Sequence, residues 1–227
     1  MSETPRPQTR RASGREDGRE DGRAARARST RARIVTAAAE LFTTAGYTTT
    51  SITAIAAKAG VSEPTVYYSF GTKRAILTTA LDLAVAGDDE PIPTLQRQWV
   101  RDALTDPDPL GQLHSQVVGA ADIYLRAAPL LDVVRSAATT DPDLAEVWAA
   151  NLQQRLTVQR VFADALARKT ALRDGLIAEA AADIALAVLS PETYNLLVND
   201  RGWAHQRWQD WAVDALTRLL TTTDRHA

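Results

Sequence analysis

Apolar residues return every three or four positions along most of this chain, which is the spacing of helices that each bury one side. Ile34, Ala37, Ala38, Leu41, Phe42 and Ala45 form one such stripe and predict a helix over residues 30–46, with Ser29 or Thr30 as its cap and Gly46 as its stop. Ile52, Ile55 and Ala56 mark a short second helix, and Val66 and Phe70, four apart, mark a third. Ile76, Leu77, Ala80, Leu81 and Ala84 predict a fourth over 73–86, broken by the Gly/Asp/Pro run 87–93. Beyond it, stripes run through Leu95–Leu104, Leu110–Leu125, Leu144–Leu166, Ile177–Val188 and Trp203–Leu220. Turn signals at 106–109, 141–143 and 190–191 separate them, and residues 192–199 read as a short helix or turn. Pro129 cannot donate to a helical ladder and is expected to kink or restart the chain. No stretch alternates with a period of two, so the expected fold is all-α.

Residues 50–73 hold the densest set of local signals. Thr50 or Ser51 can cap the second helix, and Gly60 can close it in a left-handed conformation. Val61 is the apolar plug of the turn. Ser62 can cap the third helix, and Pro64 sits in its first turn, where a missing N–H matters little. Helix, glycine turn and capped helix make a helix-turn-helix, whose second helix enters the DNA major groove N-terminus first. Thr50, Ser51, Ser62, Glu63, Pro64, Thr65, Tyr67 and Tyr68 are therefore the candidate DNA-binding residues, with Lys73 expected on a backbone phosphate. A merely structural helix pair is the alternative, and cap, turn, plug and cation together favour the DNA reading.

Charge sharpens that picture. The net charge is −2, with Lys+Arg 26 and Asp+Glu 28. The basic residues concentrate toward the N-terminal third, while the remainder is acidic, so one end is suited to a polyanion. There are no cysteines and only 3 histidines, which removes disulfides, thiolate metal sites and cysteine nucleophiles. Neither a Ser–His pairing nor a Glu-x-x-His helix pattern occurs, so neither catalysis nor a cofactor is expected. The absence of a long apolar run predicts a cytoplasmic protein without membrane association.

Residues 1–28 have almost no apolar content and contain a tandem Gly-Arg-Glu-Asp repeat, which predicts a disordered Arg-rich arm. Such an arm either tracks DNA beside the helix-turn-helix or is a solvated tail. The expected organisation is arm 1–28, DNA-binding domain 29–75, regulatory and dimerisation domain 76–222 and tail 223–227. Arg31 and Arg33 are placed to touch phosphate or to remain solvated.

The run Ile55-Ala56-x-x-Ala59-Gly60-Val61-Ser62-x-x-Thr65-x-Tyr67-x-x-Phe70-x-x-Lys73 resembles the signature of the TetR/AcrR transcriptional regulators. That family often has Gly where this chain has Pro64, which removes one backbone donor. The resemblance implies a ligand-responsive repressor that binds a palindromic double-stranded operator as a homodimer. It also implies a four-helix bundle between subunits, for which Ala181, Ile184, Trp208, Trp211 and Leu216 are the candidates. Trp99, His114, Tyr124 and Trp148 are candidates for a cavity that takes a small hydrophobic or amphipathic effector, although core packing explains the same spacing. The alternative function is a DNA-binding protein without such an effector, controlled by a partner protein.

Overall fold

The computed structural model describes residues 13–88, 92–173 and 175–222, with side chains from Gly22 onward. Ten α-helices account for most of them: α1 (Ser13–Ala45), α2 (Ile52–Ala59), α3 (Glu63–Phe70), α4 (Lys73–Ala86), α5 (Gln98–Thr105), α6 (Pro109–Ala137), α7 (Pro142–Lys169), α8 (Ala178–Val188), α9 (Pro191–Tyr194) and α10 (His205–Leu220). A 3₁₀ turn at Thr94–Gln96 precedes α5, and a π-helical turn at Asn195–Asp200 follows α9. The extended pairing among the described residues is one bridge between Leu172 and Thr221, so the fold is all-α.

The local signals act as expected in most places. Ser51 Oγ accepts from the Ala54 amide at 3.1 Å and caps α2, while Gly60 closes it at φ 64°. Ser62, Thr72, Asp108 and Asp141 cap α3, α4, α6 and α7 in the same manner. Helix α1 differs: it begins at Ser13 and not near Thr30, so Ser29 and Thr30 lie inside it. The expected disordered arm is thus helical from 13 to 28, and its first twelve positions lie outside the described residues, as does the tail after 222. Helix α6 also runs unbroken through Pro129. The carbonyl that proline leaves unserved belongs to Leu125, a residue 58 % exposed, so the missing bond falls on the wet side of the helix.

One continuous core runs through the molecule. Ile34, Ala38 and Phe42 of α1 meet Ile55 and Val66 of the helix-turn-helix, and Ile76, Leu77, Ala80 and Leu81 of α4 carry that core onto α6. From there it continues through Leu113, Val117, Tyr124 and Leu131 to Leu144 and Leu166 of α7, and to Trp208 and Leu216 of α10. The boundary expected at residue 75 therefore lies within α4, a helix that serves both halves.

The helix-turn-helix is held from outside by two arginines of α1. Arg33 donates to the Ala59 carbonyl and, at 2.8 Å, to the Gly60 carbonyl, at the end of α2 where helical carbonyls have no partner of their own. Arg31 donates to the Ser69 carbonyl and lies 4.2 Å over the Phe70 ring. These side chains are structural ties, so the phosphate role considered for them does not hold in this geometry. Arg33→Met keeps the aliphatic stem but strands the two carbonyls, and should lower stability by about 1–2 kcal/mol in a urea unfolding titration.

Candidate nucleic-acid interface and internal cavity

The exposed surface of α3 gathers most of the predicted DNA-contacting side chains. Ser62, Glu63 and Pro64 at its N-terminus are exposed, Thr65 is half-buried, and Tyr67 and Tyr68 are 53 % and 95 % exposed. Large aromatic residues so open to solvent gain little burial from the fold of the single chain. Ser62 Oγ and Thr65 Oγ1 are 2.8 Å apart, a hydroxyl pair at a helix N-terminus, where free backbone N–H groups favour anions. Ser51 stands exposed at the start of α2. Farther along the surface, Arg23, Arg26 and Arg28 of α1 are all exposed.

Two predicted contacts are turned inward instead. Thr50 is 3 % exposed, and its hydroxyl donates to the Gly46 carbonyl at 2.8 Å. It closes the turn after α1 and does not face DNA. Lys73 donates to the Tyr47 and Thr50 carbonyls at 2.8 and 2.9 Å and sits 4.3 Å over the Tyr47 ring. Burial lowers its pKa, opposed by the charge of Asp141. The cation expected on a phosphate is therefore a tie between the α1–α2 turn and the start of α4.

The proposed subunit face divides similarly. Ala181, Trp208 and Leu216 are each fully buried within the single chain, so they are core and leave no surface for a second copy. Ile184 and Trp211 remain half-buried at the edge of that core. The outer side of α10 and the segment before it add residues the periodicity did not separate from the core: Trp203, just ahead of the helix, packs edge-on to Trp211 at 6.4 Å, and Ala215 and Leu219 continue the row.

Behind these surfaces, α4, the 3₁₀ turn, α5, α6 and α7 line a partly open cavity of about 90 Å³. Trp99 and Tyr124 line it, together with Ile123, Val158 and Phe162. His114 lines a neighbouring cleft of about 500 Å³ that shares Trp99 and is itself exposed. Trp148 is absent from both walls and instead packs 5.2 Å from the Arg155 guanidinium. Trp99 stacks on Phe162 at 6.2 Å and lies so close to Gly119 that a Cβ there would come within 2.4 Å of its indole. Glycine at 119 is what lets α5 lay a flat ring on α6.

Polar groups missed in the sequence stand in the same wall: Gln116, Asn151, Arg155 and Gln159. Gln116 donates to Gln159 at 2.6 Å across the α6–α7 interface. Tyr124 donates to the Leu189 carbonyl at 2.6 Å, and burial pushes its pKa up to about 12. Groups of histidine, cysteine and carboxylate able to hold a metal ion do not occur among the described residues.

Residues 34–80 match the sequence profile of bacterial regulatory proteins of the tetR family. No curated protein sequence matches the chain. Among solved structures, NalD of Pseudomonas aeruginosa, described as the secondary repressor of the MexAB-OprM multidrug efflux pump, is 22 % identical, with 86 % of this chain and 98 % of that one covered and a TM-score of 0.65. SmeT bound to triclosan is 20 % identical, with 87 % and 94 % covered and a TM-score of 0.66; its source is Stenotrophomonas maltophilia. A transcriptional regulator of Aquifex aeolicus is 17 % identical, with 83 % and 98 % covered and a TM-score of 0.61. At these identities the structures show a shared fold, and the profile match identifies the N-terminal domain.

Tyr124 supplies a test of the buried cluster. A pKa raised above the unfolded value means that the folded chain holds its proton longer, so stability is complete below about pH 10 and is lost as pH rises toward 12. Urea midpoints measured between pH 9 and 11 should fall, and Tyr124→Phe should flatten that slope while lowering stability at neutral pH by about 1 kcal/mol through the stranded Leu189 carbonyl.

Proposed function

We propose that this protein, a DNA-binding transcriptional regulator with a TetR-family N-terminal domain and not an enzyme, is a ligand-responsive repressor that binds a palindromic operator as a homodimer. The observation that carries the reading is the exposure of Tyr67 and Tyr68 on a capped α3 that is anchored to the core through Val66. Ser62, Thr65, Tyr67 and Tyr68 reach phosphates and base edges, Glu63 and Pro64 shape the entry of the helix, and Ser51 meets the backbone beside it. Arg23, Arg26 and Arg28 extend the basic surface along α1 and add salt-sensitive affinity.

A single head reads only a few base pairs. Two heads related by a two-fold axis sit about 34–36 Å apart on one face of DNA. Ile184 and Trp211, with Trp203, Ala215 and Leu219, are the apolar face that would join them. The effector belongs in the cavity bounded by α4 to α7, and Val85 of α4 lines that cavity and the cleft beside it, so an occupant touches the helix that carries the head. The effector must bind the released state better than the DNA-bound state for repression to lift. NalD and SmeT are described as efflux-pump repressors, and SmeT as a triclosan complex, which supports an apolar effector and repression here. The cavity favours this reading over control by a partner protein.

Selection of the full chain against a random DNA pool at about 150 mM salt, where nonspecific phosphate binding is weakened, should enrich an inverted repeat. An unenriched pool would count against sequence-specific binding. Tyr67→Ala should weaken binding to the selected site by about 1–3 kcal/mol, read by fluorescence anisotropy. Trp211→Glu should shift the particle from dimer to monomer in light scattering.

A further inference from the structure

The cavity wall contains an incomplete polar site. Arg155 is the charged side chain in a lining otherwise made of apolar and neutral polar residues. Its side chain is only 12 % exposed. Nε donates to Asn151 Oδ1 at 3.0 Å, and the guanidinium packs over Trp148. Glu192 lies 3.8 Å from Nη1, an ion-pair separation beyond hydrogen-bond range, and its own side chain is 45 % exposed. Nη2 is buried and has no hydrogen-bond partner. Tyr124 stands near enough for Arg155 to lower its pKa against the larger effect of burial; its proton goes to the Leu189 carbonyl, and its oxygen stays out of hydrogen-bond geometry with Nη2. The amides of Gln116 and Gln159 are bonded to one another.

A guanidinium cannot shed its charge, and its planar fork matches two acceptor oxygens. Left with an unmade bond in a low-dielectric wall, it is an unfavourable group that a bound acceptor would satisfy. We propose that the effector is a compact apolar or aromatic acid, its carboxylate paired with Arg155 and its body set against Trp99, Ile123 and Phe162. This rests on the reading of the cavity as the effector site and names the chemistry that site takes. Asn151 then acts as a positioning residue, fixing the guanidinium through Nε so that Nη2 points at the ligand.

Benzoate and benzamide have nearly the same shape, are compact, and differ in charge at pH 7. Each is titrated calorimetrically into the full chain. The carboxylate should bind at least about tenfold tighter than the amide. Arg155→Gln should abolish that preference by weakening the carboxylate far more than the amide, and Arg155→Lys should retain part of it. Equal binding of the two probes would overturn the acid proposal and leave the cavity reading in place. Failure of both to bind would overturn the cavity reading and the proposal with it. Should Arg155→Gln not fold, the two probes on the unaltered chain decide the matter by themselves.

Discussion

Helix α4 is the constraint on which the arrangement depends. Its inward residues Ile76, Leu77, Ala80 and Leu81 are almost fully buried, packed between α1 on one side and α6 on the other. Its first residue ties down the α1–α2 turn, and its C-terminal part reaches the cavity at Val85. Arg74 pairs with Asp143 at the start of α7, adding a polar link beside the apolar one. Protein interiors are close-packed and do not deform smoothly. A side chain displaced at Val85 is therefore displaced together with a helix whose other end anchors the reading head. The reading head and cavity are two ends of one packed element, and no flexible linker separates them.

The parts of the molecule governed by local chemistry were legible in the sequence. Ser51, Gly60, Ser62 and Gly87 each act within a few residues of themselves, so spacing alone located the ends of α2, α3 and α4. Position relative to the rest of the fold was not legible in the same way. Thr50 and Ser51 are neighbours with similar side chains, yet one is buried under the turn and the other is open. Lys73 looked like a phosphate contact because a cation follows α3, but its reach back to Tyr47 and Thr50 depends on where α1 packs. Ala181, Trp208 and Leu216 share a period with Ile184 and Trp211, and periodicity finds a buried face without saying which chain buries it.

The cavity illustrates a different limit. Aromatic spacing points to Trp99 and Tyr124, but most of the polar character comes from α7, where Asn151, Arg155, Gln159 and Phe162 follow one another at three- and four-residue steps. A charged residue on an otherwise inward helical row is a readable signal, since burying a charge is costly without a partner. The apolar members of the row predict the helix without it, so the pattern does not depend on that charge. Gly119 carried no signal at all, because its role follows from an indole supplied by a different helix.

Two cations of different chemistry secure the helix-turn-helix. Arg33 of α1 reaches the end of α2 with a planar fork that serves two adjacent carbonyls at once. Lys73, beneath the α1–α2 turn, is a compact amine whose pKa burial has lowered. Alkali therefore loosens the fastening at Lys73. The head is attached asymmetrically, with a forked clasp at the turn that presents α3 and a titratable pin at the turn that supports it.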